Sequence, residues 1–293
     1  MADVVVPVHS SSTMVGEKSS QFMAKLGLVQ RLQGGVIIEV TDVEQAKIAE
    51  EAGACSVVIH HGISRPNPYL IKEVKQAVSI PIMARVRVGH FVEAQILEAM
   101  GVDYVDESEL LGIADADHYI NKNRFNVPFA CECQNLEEAM MRVAEGAAII
   151  WLQGTRNEWS PSPSGTVVET VGNVRSVMKK IRSLTNEDED EALTFSMEMG
   201  VPYDVVAQTK QIGRLPVVQI AAGGIETPAD AALMMQLGCD GVLVGSHIFD
   251  GLDPFRQVRS IVQAVKYYND PYELMEICFG LEVAEAASET EDF

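Results

Sequence analysis

The sequence predicts an α/β protein, a single (β/α)8 TIM barrel with extra helices between the sixth and seventh strands. Three observations carry this. Short β-branched runs recur eight times, each followed by a helical pattern. The runs are apolar almost throughout, as strands covered on both faces are. Helix ends repeat one punctuation: Glu51-Ala-Gly-Ala-Cys55, Glu98-Ala-Met-Gly-Val-Asp103, Ala144-Glu-Gly-Ala-Ala148 and Gln236-Leu-Gly-Cys-Asp240. Each places a glycine where a left-handed C-cap precedes the next buried strand. An open doubly wound sheet would need a glycine-rich first βα turn, and the turn after Val40 reads Thr41-Asp-Val-Glu44.

Strands are expected over 36–40, 55–60, 80–86, 103–107, 127–133, 147–153, 216–222 and 241–245. Helices are expected over Val43–Ala52, Tyr69–Ala77, Phe91–Met100, Leu136–Glu145 and Pro228–Leu237, with added ones near 167–183, 187–199 and 203–213. Glu187-Asp-Glu-Asp-Glu191 suits a helix start, where acid meets the positive end of the dipole. Residues 1–20 and the acidic end, 282–293, read as disordered, leaving 21–281 as the barrel domain.

Twenty-two basic against 42 acidic residues give a formal charge of −20, which disfavours nucleic acid and anionic membranes as partners. The five cysteines are odd in number, and Cys131 and Cys133 have no zinc spacing. That pair is expected on opposite strand faces. Buried free thiols, no apolar secretory core near the start and no run of 18 apolar residues point to a cytoplasmic protein with no membrane span. No metal site and no cofactor are expected.

In such barrels chemistry sits at the C-terminal ends of the strands. Ala221-Ala-Gly-Gly-Ile-Glu-Thr-Pro-Ala-Asp230 and Val244-Gly-Ser246 place glycines before helix starts. Bare N–H groups there suit a phosphate, and tight βα turns are the other reading. Asp106 and its neighbours in Val105-Asp-Glu-Ser-Glu109, with Glu39, put carboxylates at the mouth. His60 and His61, adjacent on a strand, point apart. None of the ten lysines falls on a predicted strand; those with a placement are expected as solvated charges on helices. Arg85 instead stands on the third strand, in Pro81-Ile-Met-Ala-Arg-Val-Arg-Val-Gly-His90. Schiff-base chemistry needs a deprotonated amine, and arginine stays protonated with delocalised nitrogens.

The chain resembles the PdxS/SNZ family, the synthase subunit of pyridoxal 5′-phosphate synthase. The residues that carry this are Gly34-Gly-Val-Ile-Ile-Glu-Val40, Gly89-His-Phe-Val-Glu-Ala-Gln-Ile-Leu-Glu-Ala99, Gly101-Val-Asp-Tyr-Val-Asp-Glu-Ser108, Leu215-Pro-Val-Val-Gln219 and Thr227–Val242. The resemblance spans roughly residues 22–281. It implies a barrel in hexameric rings paired as dodecamers, a glutaminase partner, and synthesis of the B6 cofactor from ribose 5-phosphate, glyceraldehyde 3-phosphate and ammonia. It also implies two working lysines, which fall on Arg85 and Gln153, and an arginine, which falls on Trp151. The strand-one aspartate falls on Glu39, and Asp106 is kept.

For phosphate, Gly165, Gly224, Gly245 and Ser246 match one implied site, but Pro163-Ser-Gly-Thr166 follows an inserted stretch and Pro163 lacks an N–H. At a second site Arg142 and Arg175 match, while Tyr119, Met141 and Met197 replace a histidine, an arginine and a lysine. The loop 60–68 is shorter than in active members. The resemblance is therefore to the non-catalytic plant members, and it implies a silent subunit that co-assembles with active paralogues. A working synthase with altered residues and a phosphosugar sensor or other barrel enzyme are the alternatives. The stretch Gln21–Gln33 resembles the segment that docks a glutaminase.

Overall fold

In the computed structural model the backbone is described for residues 11–60, 67–109, 119–154 and 166–291, and side chains for 20–60, 67–108, 119–154 and 166–281. The elements run α1 (Ser11–Val29), β1 (Gly35–Val40), α2 (Val43–Ala52), β2 (Ser56–Ile59), α3 (Pro68–Ala77), β3 (Ile82–Arg87), α4 (Phe91–Met100), β4 (Tyr104–Glu109), β5 (Phe129–Cys133), α5 (Leu136–Ala144) and β6 (Ile149–Gln153). There follow α6 (Val167–Asn186), α7 (Glu189–Met199), α8 (Tyr203–Ile212), β7 (Val218–Ala222), α9 (Pro228–Gln236), β8 (Gly241–Val244), α10 (Pro254–Lys266) and α11 (Pro271–Glu291).

All eight strands pair in parallel and in sequence order, and β8 closes on β1. The expected (β/α)8 barrel is observed, and α6, α7 and α8 supply the added helices between the sixth and seventh strands. The sequence places these elements by local chemistry. Asp42, Asn135, Thr166, Asp188 and Thr227 cap the starts of α2, α5, α6, α7 and α9 with their side chains. Gly53 and Gly101 end α2 and α4 at φ 98° and 71°, the left-handed turn that lets the chain drop into the next strand.

The strand period of two sorts side chains into two cores. Ile37, Val58, Met83, Tyr104, Ile149, Trp151 and Ile220 point into the barrel. Val36, Ile38, Val57, Ile82, Val105, Phe129, Ile150 and Val242 point out to the helices. At the N-terminal end Val29 and Leu32 join the inner core, and the Tyr104 hydroxyl donates to Leu28 O at 3.0 Å. That end is closed by the chain leading into β1, so an inward polar group can reach solvent only at the opposite mouth.

Two expectations differ. Cys131 and Cys133 both lie in the outer core, on one face of β5, because residues two apart on a strand share a face. The backbone is helical over 11–20 and 282–291, where composition suggested disorder. The alanine- and glutamate-rich second stretch has high helix propensity.

Candidate functional site

The C-terminal mouth is built from inward positions of neighbouring strands. Arg85 and Asp106 are register partners on β3 and β4. The Arg85 guanidinium donates from Nε to Asp106 Oδ2 at 2.9 Å and from Nη2 to Glu39 Oε2 at 3.1 Å. Its Nη1 stands 2.9 Å from His60 Nδ1. An arginine can only donate, so Nδ1 accepts and the ring proton sits on Nε2. The other Asp106 oxygen accepts from Trp151 Nε1 at 2.8 Å, and Ser108 Oγ donates to Oδ2 at 2.8 Å.

Asp106 is fully buried and Arg85 and Glu39 are about 15 % exposed. One cation thus answers two carboxylates inside the barrel, with strands β1 to β4 and β6 contributing to a single network. The fork of the guanidinium is what makes this possible; an ammonium is a point charge and would not span the three partners. The expected carboxylates, Glu39 and Asp106, are brought together with Arg85 and Trp151. His60 joined them without a sequence signal, because an adjacent-histidine pattern does not say which ring faces in. His61 lies outside the described residues, as do Pro163 and Gly165. Gln153 ends β6 with its backbone oxygen accepting from Asn173 Nδ2.

The eight strands contain no lysine. The expectation that placed lysines are solvated fails at Lys25, and Lys122, which has no predicted placement, is buried as well. Lys122 is wholly buried, 2.7 Å from Glu107 Oε2 and 3.0 Å from Glu145 Oε2, and donates to Ile120 O at 3.0 Å. Burial alone would lower its pKa, yet the net direction is up, through charge at Cys131, Glu107 and Glu145. Burial pushes the Cys131 thiol up as well, so it is neutral near pH 7 and the two carboxylates are the partners that count. Lys25, 3 % exposed, donates to Lys122 O at 2.8 Å, and burial lowers its pKa to about 8 against the charge of Glu98. Glu107 points outward from the barrel into the layer beneath α5, so neither amine faces the mouth.

Gly224 and Gly245 follow the neighbouring strands β7 and β8. Gly224 has φ +67°, and a Cβ there would lie 2.1 Å from Val167 N; the glycine makes room for the start of α6. Gly245 similarly leaves space for the His247 ring, whose Nδ1 would be 2.7 Å from an added Cβ. An added side chain would meet close neighbours at both, and Ser246 begins a 3-10 turn after Gly245. Arg142 is buried on α5 while Arg175 lies on the exposed side of α6. Met197 is 76 % exposed on α7, and Met141 packs against the outer core. The Arg142 guanidinium carbon lies 3.1 Å from the centre of the Tyr119 ring. Burial, the leading cause, raises the Tyr119 phenol's pKa. Among the described residues no cluster of three metal-ligating side chains occurs, and no helix is long and apolar enough to cross a membrane.

Comparison with known families decides the lineage, since the SOR/SNZ family model matches residues 21–222. The chain belongs to the SOR/SNZ family. Among SOR/SNZ relatives, the pyridoxal 5′-phosphate synthase-like subunit PDX1.2 of Arabidopsis thaliana is 58 % identical over 287 residues, covering 95 % of this chain and 90 % of its own. The pyridoxal 5′-phosphate synthase subunit PDX1.3 of the same plant is 54 % identical over 288 residues, covering 94 % and 91 %. A probable pyridoxal 5′-phosphate synthase subunit from Hevea brasiliensis is also 54 % identical over 288 residues. A second model, for the thiazole biosynthesis protein ThiG, matches residues 200–287, the part of the SOR/SNZ barrel that holds β7 and β8.

Proposed function

We propose that this chain is a non-catalytic subunit of pyridoxal 5′-phosphate synthase, acting in vitamin B6 biosynthesis by assembling with catalytic paralogues. The observation that carries the reading is Arg85. It occupies the strand position where the family places its first Schiff-base lysine, and its guanidinium is engaged by Glu39, His60 and Asp106. Covalent capture of a sugar carbonyl needs a free amine lone pair, and a guanidinium has none to offer. The second lysine position holds the amide of Gln153, and Lys25 and Lys122 are used elsewhere. Meanwhile the barrel and its helices are intact, and the names of the relatives fit a subunit of such a complex. A folded barrel with a silent mouth can still stabilise a mixed ring by mass action. Hexameric rings, their pairing as dodecamers, a cytoplasmic setting and glutaminase docking at α1 belong to the same proposal.

The test has two arms. Co-expression with a catalytic paralogue, followed by native mass spectrometry, is expected to give rings of mixed mass. The purified chain, given ribose 5-phosphate, glyceraldehyde 3-phosphate and ammonium, is expected to form no pentose adduct and no pyridoxal phosphate absorbance. Product formation by the chain alone would overturn the reading, as would rings that always exclude it.

A further inference from the structure

Two side chains of α1 clamp one short turn. The 3-10 turn Lys122–Arg124 precedes β5. Lys25 Nζ donates to Lys122 O at 2.8 Å, and Gln21 Nε2 donates to Phe125 O at 3.0 Å, so the turn is held at both ends. The turn's own side chain carries the connection onward. Lys122 Nζ lies 2.7 Å from Glu107 Oε2, and Glu107 Oε1 accepts from Gly89 N at 2.9 Å and from Ile120 N at 2.8 Å. Gly89 stands between β3, which carries Arg85, and α4, on which Phe91, Val92 and Ile96 are exposed.

Lys25, Lys122 and Glu107 are all buried, so each joint is a charge-assisted bond in a dry setting, where neighbouring bonds strengthen one another. The turn cannot shift without drawing the Lys122 ammonium away from Glu107. Glu107 cannot follow it without releasing the Gly89 and Ile120 N–H groups. The turn therefore has a clamped and a released arrangement, and both α1 and the Gly89 loop bias it, which is what coupling between two places requires. We infer that α1 and the loop Val88–His90 are coupled through the relay Lys25, Lys122 and Glu107. A protein that steadies α1 fixes that loop at the edge of the mouth, and one that draws α1 away frees it, along with the entry into α4. The inference goes beyond the subunit reading and holds whatever docks at α1.

Amide hydrogen exchange on the full chain, resolved to single residues by mass-spectrometric fragmentation, reads the Gly89 N–H directly. Lys25→Met is expected to speed exchange at Gly89 roughly tenfold and to leave the amides of β7 and β8 unchanged. Gln21→Ala, at a part-exposed site, repeats the test without touching the core and is expected to give a smaller rise, about threefold. Tyr104→Phe loosens α1 elsewhere, by removing the bond to Leu28 O, and is expected to leave Gly89 as it is. With Glu107→Gln already present, Lys25→Met should add nothing at Gly89, because the charge link to Lys122 is gone. Faster exchange at residues 122–125 with no rise at Gly89 in either α1 variant would overturn the relay. So would a Gly89 rise of equal size in Tyr104→Phe, a rise spread evenly over β7 and β8, or one that persists beside Glu107→Gln.

Discussion

Arg85 and Trp151 hold opposite oxygens of one carboxylate, the guanidinium at 2.9 Å from Asp106 Oδ2 and the indole N–H at 2.8 Å from Oδ1. Asp106 is fully buried, so its charge is tolerated only because both oxygens are met. Replacing Arg85 with methionine keeps most of the volume and leaves Glu39 and Asp106 without their cation. The expected loss is about 3 kcal/mol, the scale for removing one partner of a buried pair. Arg85→Lys should lose less, since charge is kept and the fork is not. Urea unfolding at fixed protein concentration measures both, and an unmoved midpoint in Arg85→Met would refute the network's role.

Lys122 and Glu107 form a second buried pair, at 2.7 Å. Lys122→Met is expected to destabilise by roughly 3 kcal/mol, because Glu107 and Glu145 then share a site with no ammonium. Adding Glu107→Gln should recover part of that loss, since the amide oxygen can still accept from Gly89 N and Ile120 N, now 2.9 and 2.8 Å from the carboxylate. A double mutant whose loss equals the sum of the singles would show that the pair is not coupled.

Lys25 gives a pH signature. Its folded pKa is lowered to about 8 from 10.5 by burial. Between those values the folded chain has released a proton that the unfolded chain still holds, so this residue makes stability rise with pH across the window. Below pH 8 both states are protonated and the slope vanishes. Comparing wild type with Lys25→Met from pH 7 to 10 isolates the effect. Parallel curves would mean that the ammonium is not desolvated.

Thiol reactivity follows burial. Cys55 and Cys239 are pushed up to about 12, and Cys131 and Cys133 are also raised, in each case first by desolvation. Thiolate is the reactive form, so iodoacetamide at pH 8 is expected to label Cys278 alone in the native chain and all five cysteines after unfolding. Intact mass reports the count, and rapid native labelling at two or more sites would contradict the packing.

Gly224→Ala tests the turn after β7. Its φ of +67° disfavours a side chain, and the added Cβ would collide with the backbone at Val167 N. The conformational part alone is worth about 1–3 kcal/mol, and the collision displaces the start of α6. A substitution that leaves the thermal midpoint unchanged would show that this loop shifts freely.

The barrel was legible because its signals are local. Alternation and apolar runs mark strands such as Val36–Val40, and Gly53 or Gly101 marks the exit from a helix. Glu39, Arg85 and Asp106 were placed at the mouth by strand position alone. What stayed hidden depends on partners far apart in sequence. The burial of Lys122 was not readable because Glu107 and Glu145 lie 15 and 23 residues away, and Lys25 meets its acceptor 97 residues on. The Tyr119–Arg142 stack was equally invisible, since nothing at either position in the sequence hints that the ring would lie on the guanidinium.

The counter-ion of Glu39 and Asp106 is tethered to β3 by the chain itself. Its local concentration beside them is therefore fixed at synthesis and does not rise or fall with the surrounding medium. For these two carboxylates the mouth has no separate empty and filled states: supply of the polypeptide, and not of any small molecule, sets how many such sites are complete.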